Sequence, residues 1–213
     1  MTKAEYIESL RSLLNEAAEN GLSEISLQGT DTVSLDKLIT DSYRMAWDNL
    51  PLSARVSVDG ATNIVPQLCE DDGPNSQVGY IDLPSDYHTL VAFRMDGWKN
   101  PVVIAYSRES EVGRLQGYTY ARGNGARPVC IIEHSPSTEG WRLYYYSVPW
   151  GMAHLVKEFR YLKTPDINNP EMDVREGYIE LMLLHHAMYI GIILNRDEVV
   201  KYFAELIKTK ETL

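Results

Sequence analysis

Only two cysteines and three phenylalanines stand among these 213 residues. Cys69 and Cys130 lie far apart, each beside apolar neighbours and without a Cys-x-x-Cys partner, so buried free thiols of a reducing compartment are expected. Residues 1–5, Met-Thr-Lys-Ala-Glu, lack the apolar core of a secretion signal. The longest apolar-leaning stretch, residues 178–194, is interrupted by Glu180, His185 and His186, which argues against a membrane span. Cytosol, or a particle assembled there, is the expected location. Positive charge is also short. Twenty Lys and Arg face 30 Asp and Glu, a formal net charge of −10. That balance argues against a surface built to grip phosphate backbones, where affinity comes from basic residues releasing counterions.

Motifs that carry chemistry are equally thin. His185 and His186 are adjacent on an expected helix, so their side chains point about 100° apart and cannot share a metal as His-x-x-x-His can. Glu180 does not stand at HExxH spacing from them. His88, His134 and His154 each stand alone in the sequence. Gly123-Asn124-Gly125 lacks the third glycine, the preceding buried strand and the following helix of a dinucleotide loop. Glu70-Asp71-Asp72 lacks the ligand spacing of a calcium loop and reads as solvated. No catalytic residue, cofactor or metal site is expected.

What is present is an ordinary folding composition, 44% hydrophobic and 23% charged, long enough for one domain with appended helices. Thr2-Lys3-Ala4-Glu5 is a capping-box pattern, followed by Ile7, Leu10, Leu13, Leu14, Ala17 and Ala18 on one helical face, with Asn20-Gly21 as a stop. Residues 23–33 read as a polar connector. Ser34 is expected to cap a second helix carrying Leu35, Leu38, Ile39, Met45, Ala46 and Leu50, closed by Pro51. Strands follow. Val78, Tyr80, Ile81 and Leu83 lead to Pro84-Ser85-Asp86, a second strand runs to Met95, and Asp96-Gly97 suits a type I′ hairpin into Val102-Val103-Ile104. Residues 70–77 read as loop, Ser107 as the cap of a short helix, and 117–127 as a mobile glycine- and arginine-rich loop. Residues 129–133 and 141–148 are expected strands, linked through 135–140. Residues 153–162 fit strand or helix, and helices return over 174–194 and 198–208.

Strands grouped between helical ends imply an α+β fold, not a doubly wound one. The expected layout is a helix pair over residues 1–52, an antiparallel β-core (sandwich or barrel-like) over 53–165, and C-terminal helices over 166–213 that pack with the first pair.

The order of these pieces carries a resemblance. Ile81-Asp82-Leu83-Pro84-Ser85-Asp86-Tyr87, Leu143-Tyr144-Tyr145-Tyr146-Ser147-Val148-Pro149 and Tyr161-Leu162-Lys163-Thr164-Pro165, between a helix pair and a long C-terminal helix, resemble phage head–tail connector proteins of the adaptor or tail tubular A type, including those of crAss-like phages. The loop over 117–127 and the helix after Asn195 depart from that pattern. The resemblance implies a virion protein of the head–tail junction, assembled in the host bacterial cytoplasm. It would form a ring, of twelve copies in the family, between the portal and further tail or ring proteins. It implies no catalysis and no membrane, and a lumen whose negative wall lets DNA pass without gripping it. Interface candidates are Tyr118, Tyr120, Arg122 and Arg127 of the loop, Tyr145 of the tyrosine run, and Met188, Ile192 and Ile193 of the long helix. Fourteen tyrosines and four tryptophans suit an assembling protein. A small cytosolic α+β enzyme or ligand-binding domain, and another capsid or tail structural protein, are the competing readings.

Overall fold

The computed structural model describes residues 1–19, 32–69, 77–135 and 140–211. The Asn20-Gly21 stop, the connector up to residue 31, the loop over 70–76 and the turn over 136–139 lie outside these residues. The fold is α+β, in two compact units: residues 1–56 with 164–213, and residues 57–163.

The first unit is helical. Helix α1 (Lys3–Glu19) opens on the expected capping box: Glu5 N–H donates to Thr2 Oγ1 at 3.3 Å and Thr2 N–H to Glu5 Oε2 at 2.8 Å. Its buried edge is Tyr6, Leu10 and Leu14, so the expected face gains a tyrosine. Helix α2 (Thr32–Asp48) begins ahead of Ser34 and buries Ile39, Ser42, Tyr43, Ala46 and Trp47, whereas Met45 is exposed. Arg55 closes its end. The guanidinium donates to the Asp48 and Leu50 carbonyls and stacks 4.6 Å from the Trp47 ring centroid, satisfying acceptors a helix terminus leaves open. A short helix α4 (Pro170–Asp173) precedes helix α5 (Ile179–Ile193), which is shorter than the 174–194 span expected. Asn195, at φ 55°, terminates α5 in the left-handed conformation asparagine tolerates. Helix α6 (Asp197–Glu211) follows, and its Val199 and Val200 would meet a Cβ on Gly191 at 3.2 Å, so glycine there sets the close approach of α5 and α6.

The second unit is a β-sandwich. Strands β1 (Ser57–Asp59), β4 (Tyr87–Met95) and β8 (Val156–Lys163) form one sheet in the order β1-β8-β4. Strands β2 (Gln67–Leu68), β3 (Gly79–Asp82), β5 (Ala105–Ser107), β6 (Cys130–His134) and β7 (Trp141–Tyr145) form the other, in the order β2-β3-β7-β6-β5. Pairing is antiparallel except for β5 with β6, which is parallel and corrects an all-antiparallel core. Phe93, Met95, Phe159 and Tyr161 of one sheet pack with Ile81, Cys130, Leu143 and Tyr145 of the other. Residues 153–162, ambiguous from periodicity, are extended from Val156 onward.

The Leu-Pro-Ser-Asp-Tyr turn joins two strands as expected, handing the chain from β3 in one sheet to β4 in the other. Tyr87 N–H closes it on the Pro84 carbonyl at 3.0 Å, and Asp86 accepts the Tyr161 hydroxyl at 3.1 Å. At Asp96-Gly97 only the glycine has positive φ (78°), the type II pattern and not I′. Beyond it Val102 forms a single bridge to Phe93, and residues 103–104 leave that sheet to enter β5. The cap of helix α3 (Glu111–Leu115) is Ser110, whose hydroxyl oxygen accepts from Gly113 N–H at 3.0 Å; Ser107 instead accepts from Glu109 N–H.

Candidate interaction surfaces

A polar constellation is buried inside the helical unit. Ser42 Oγ donates to the Leu38 carbonyl at 2.6 Å, so its oxygen accepts the Nε2–H of His186 at 2.8 Å. The remaining nitrogen, Nδ1, then accepts the Tyr6 hydroxyl at 3.0 Å. His186 is fully buried, and burial holds its pKa down at about 4, so the ring is neutral. Burial likewise pushes the Tyr6 and Tyr43 hydroxyls above their ordinary value. Nearby, the buried Asp173 carboxylate accepts Tyr43 O–H at 3.2 Å and Asp166 N–H at 2.7 Å, while its carbonyl accepts Trp47 Nε1–H at 3.0 Å. With Tyr6, Ser42 and His186 buried and bonded to one another, the set ties α1, α2 and α5 together. His185 is buried as well, so neither histidine of the pair lies at a surface.

Helix α5 is apolar all round because α1, α2 and α6 all pack on it. Leu181, Met182, Leu183, Leu184, Ala187 and Ile190 are buried, and Met188 is half-buried. Its exposed apolar residues are confined to the C-terminal end, where Ile192 and Ile193 stand 49% and 47% open and Leu194 follows. The second apolar face expected along the helix therefore shrinks to its C-terminal end. A cleft of about 450 Å³ opens in the same unit, lined by Pro51, Ser53, Gly177, Tyr178, Leu181 and the ion-paired Glu180 and Lys210.

In the β unit the loop over 117–127 is hydrogen-bonded within itself and to its neighbours. The buried Gln116 side chain accepts Gly123 N–H at 2.9 Å, its carbonyl accepts Arg122 Nε–H at 2.9 Å, and Ser147 donates to the Gly123 carbonyl. Asn124 and Arg127 exchange backbone bonds of 3.0 and 2.9 Å, and Lys99 N–H reaches Gly125. This scaffold leaves Tyr118 and Tyr120 exposed, Tyr120 completely, and Arg127 exposed, while Arg122 lies half-buried with its guanidinium 5.8 Å from the Tyr146 ring centroid.

Tyr145 is the one expected contact residue that the structure corrects. It alternates inward, as strand geometry requires for the middle of three tyrosines, and is fully buried with its hydroxyl 2.7 Å from His154 Nδ1. Its neighbours Tyr144 and Tyr146 take the outer face, where Arg108 stacks 5.4 Å from Tyr144 and pairs with Glu133, and Arg142 stacks 4.3 Å from Tyr80 and pairs with Asp82.

Sequence reasoning missed other exposed apolar positions. Val103 and Ile104, expected inside a strand, are 58% and 59% exposed. Three consecutive apolar residues, Val102-Val103-Ile104, cannot all face inward from a strand, and that signal was available in the sequence. Val65 and Leu68 flank and form the short β2, and Trp150, Met152 and Leu155 protrude between β7 and β8. Among the described residues no group of three or more His, Cys, Asp or Glu is placed to hold a metal ion, and no helix is long and apolar enough to cross a membrane.

No protein-family model matches the chain, and no curated protein matches it.

Proposed function

We propose that this chain is a structural, ring-forming connector of a phage head–tail junction, lying between portal and tail and performing no catalytic step. The observation that carries the reading is the distribution of exposed apolar side chains. Each unit presents its own: Ile192, Ile193 and Leu194 at the end of α5 in the helical unit, and Val103, Ile104, Tyr118, Tyr120 and Trp150 in the β unit. Exposed apolar positions of this kind mark protein contacts, and more than one such surface is what heterologous ring contacts and a neighbouring partner demand. The order helix pair, β-core, helices supports the same reading, as does the Leu-Pro-Ser-Asp-Tyr crossing between the sheets.

Charge is compatible with it. The helical unit carries 18 acidic against 10 basic residues, the β unit 12 against 10. A wall of the β unit would thus neither attract nor strongly repel DNA, while the helical unit favours a partner with basic groups. Native mass measurement and negative-stain imaging of the protein, alone and with a portal, test the proposal. Closed rings, twelve-fold if the family's copy number applies, are the expected result. A protein that stays monomeric in both conditions overturns it.

A further inference from the structure

At one end of the β unit three loops are fastened to one another. Asp96 N–H donates to the Leu155 carbonyl at 2.8 Å, Lys99 N–H donates to the Gly125 carbonyl at 2.8 Å, and Ser147 donates to the Gly123 carbonyl. Residues Pro149 to Met152 form a turn that Met152 N–H closes on the Pro149 carbonyl at 3.1 Å. Gly151, at φ 77°, supplies the positive value a type II turn asks of its third residue. Met152 lies against Gly97, where a Cβ would stand 2.5 Å from its sulfur. Trp150 is left 75% exposed at the corner of the turn, with Met152 and Leu155 at 45% and 48%.

These loops differ in sign from the chain that carries them. Segments 96–100, 123–127 and 147–157 bear Lys99, Arg127 and Lys157 against Asp96 alone, within a protein of net charge −10. Lys157 is paired with Asp96 at 3.8 Å. Lys99 and Arg127 are exposed, and among the described residues neither forms an ion pair.

The helical unit carries the counterpart. Ile192, Ile193 and Leu194 stand exposed, and the chain turns at Asn195 into α6, whose first two residues, Asp197 and Glu198, are exposed and without an ion pair among the described residues. Arg196 beside them has a partner of its own, and Lys201 lies a turn further along α6. With 18 acidic against 10 basic residues, the unit draws a basic surface toward it. Each surface thus sets three apolar side chains beside two unpaired charges, and the charges are of opposite sign. An anionic lipid surface would match the loops and leave the α5–α6 corner bare. A second copy of the chain matches both.

We infer that these loops of one copy dock on the α5–α6 corner of the next, Trp150 and Met152 packing on Ile192 and Ile193 while Lys99 and Arg127 face Asp197 and Glu198. An exposed tryptophan ringed by complementary charge is the kind of side chain on which contact energy concentrates. The contact is heterologous, so repetition closes a ring or extends a fibre. It rests on the ring reading and names the subunit contact within it.

The test reverses charge on each surface of the full chain. One variant carries Lys99→Glu with Arg127→Glu, the other Asp197→Lys with Glu198→Lys, and native mass is followed against concentration. Each variant should melt within a few degrees of wild type and, alone, need a concentration about tenfold higher or more to assemble. Mixed in equal amounts they should assemble like wild type with both chains in equal number, because each then offers the surface the other lacks. Trp150→Ser should lose the assembled mass without a change in melting temperature. Rings that form from either variant alone as from wild type overturn this contact and leave the ring reading intact, and so does a mixture that fails to restore assembly while wild type still forms rings. A restored mixture in open filaments sustains the contact and overturns the ring. A wild-type chain that stays monomeric, or that only sediments with phosphatidylglycerol vesicles, refutes both.

Discussion

Protonating His186 should unlock the helical unit, and the size of the effect follows from its surroundings. In an unfolded chain this imidazole titrates near 6.5; in the folded protein burial lowers that to about 4. The unfolded state therefore binds the extra proton first, and stability falls as pH drops through the interval between the two values. It is fully present above 6.5 and lost by about 4. At 1.36 kcal/mol per unit, the swing is roughly 3 kcal/mol, a large share of a typical domain's stability. The geometry explains why the proton is unwelcome. Nδ1 already accepts from Tyr6, so a proton there would set two donors against each other 3.0 Å apart in a site without water-like screening. Urea unfolding followed by far-UV circular dichroism, repeated from pH 7.5 to 4, measures the slope. His186→Gln keeps a donor for Ser42 but cannot titrate, so subtracting its profile removes the carboxylates that titrate in the same range. Wild type should lose about 3 kcal/mol more than the variant across the window. Parallel profiles would refute the argument.

Other outcomes are equally concrete. Gly79→Ala should destabilise the β unit by about 1–3 kcal/mol in a thermal melt, because the added Cβ would stand 2.2 Å from the Tyr145 hydroxyl and 2.4 Å from the Gln67 carbonyl oxygen. Replacing Ile192 and Ile193 with Ser should leave the melting temperature within a few degrees of wild type while weakening assembly, since both side chains are about half exposed; unchanged assembly would remove the end of α5 as a contact. The isolated protein should show no affinity for duplex DNA at physiological salt by fluorescence anisotropy, given its net charge of −10. Tight binding that falls steeply with salt would point to Arg114 and Arg127 as phosphate contacts.

Local signals were legible in the sequence; non-local ones were not. The capping box at Thr2 and Glu5, the turn at Pro84, and the helical ends of the chain depend on residues within a few positions of one another, and each stands where its chemistry put it. The buried faces of α1 and α2 were misjudged at Tyr6, Tyr43 and Trp47. These amphipathic rings bury only if their polar atoms find partners, and the partners are His186 and Asp173, more than a hundred residues away. Tyr145 was taken for a contact residue for the related reason that a tyrosine's facing depends on which sheet covers it. Sheet membership is not legible locally: β3 and β4 are neighbours in sequence and lie in different sheets, and the turn between them bonds to β8 through Tyr161.

The apolar excess of α5 shows how the same residues support two different inferences. Read alone, a helix with Ile179, Met182, Leu183, Met188, Ile192 and Ile193 has more greasy surface than one partner can cover, and an intermolecular face follows. Surrounded by three helices of its own unit, it has that surface covered already, and its two histidines are buried within it. The apolar surface left for the proposed contact is one turn, Ile192 to Leu194. Contact energy concentrated in so small an area must come from a few fully desolvated side chains, so recognition there should depend on Ile192 and Ile193 almost alone.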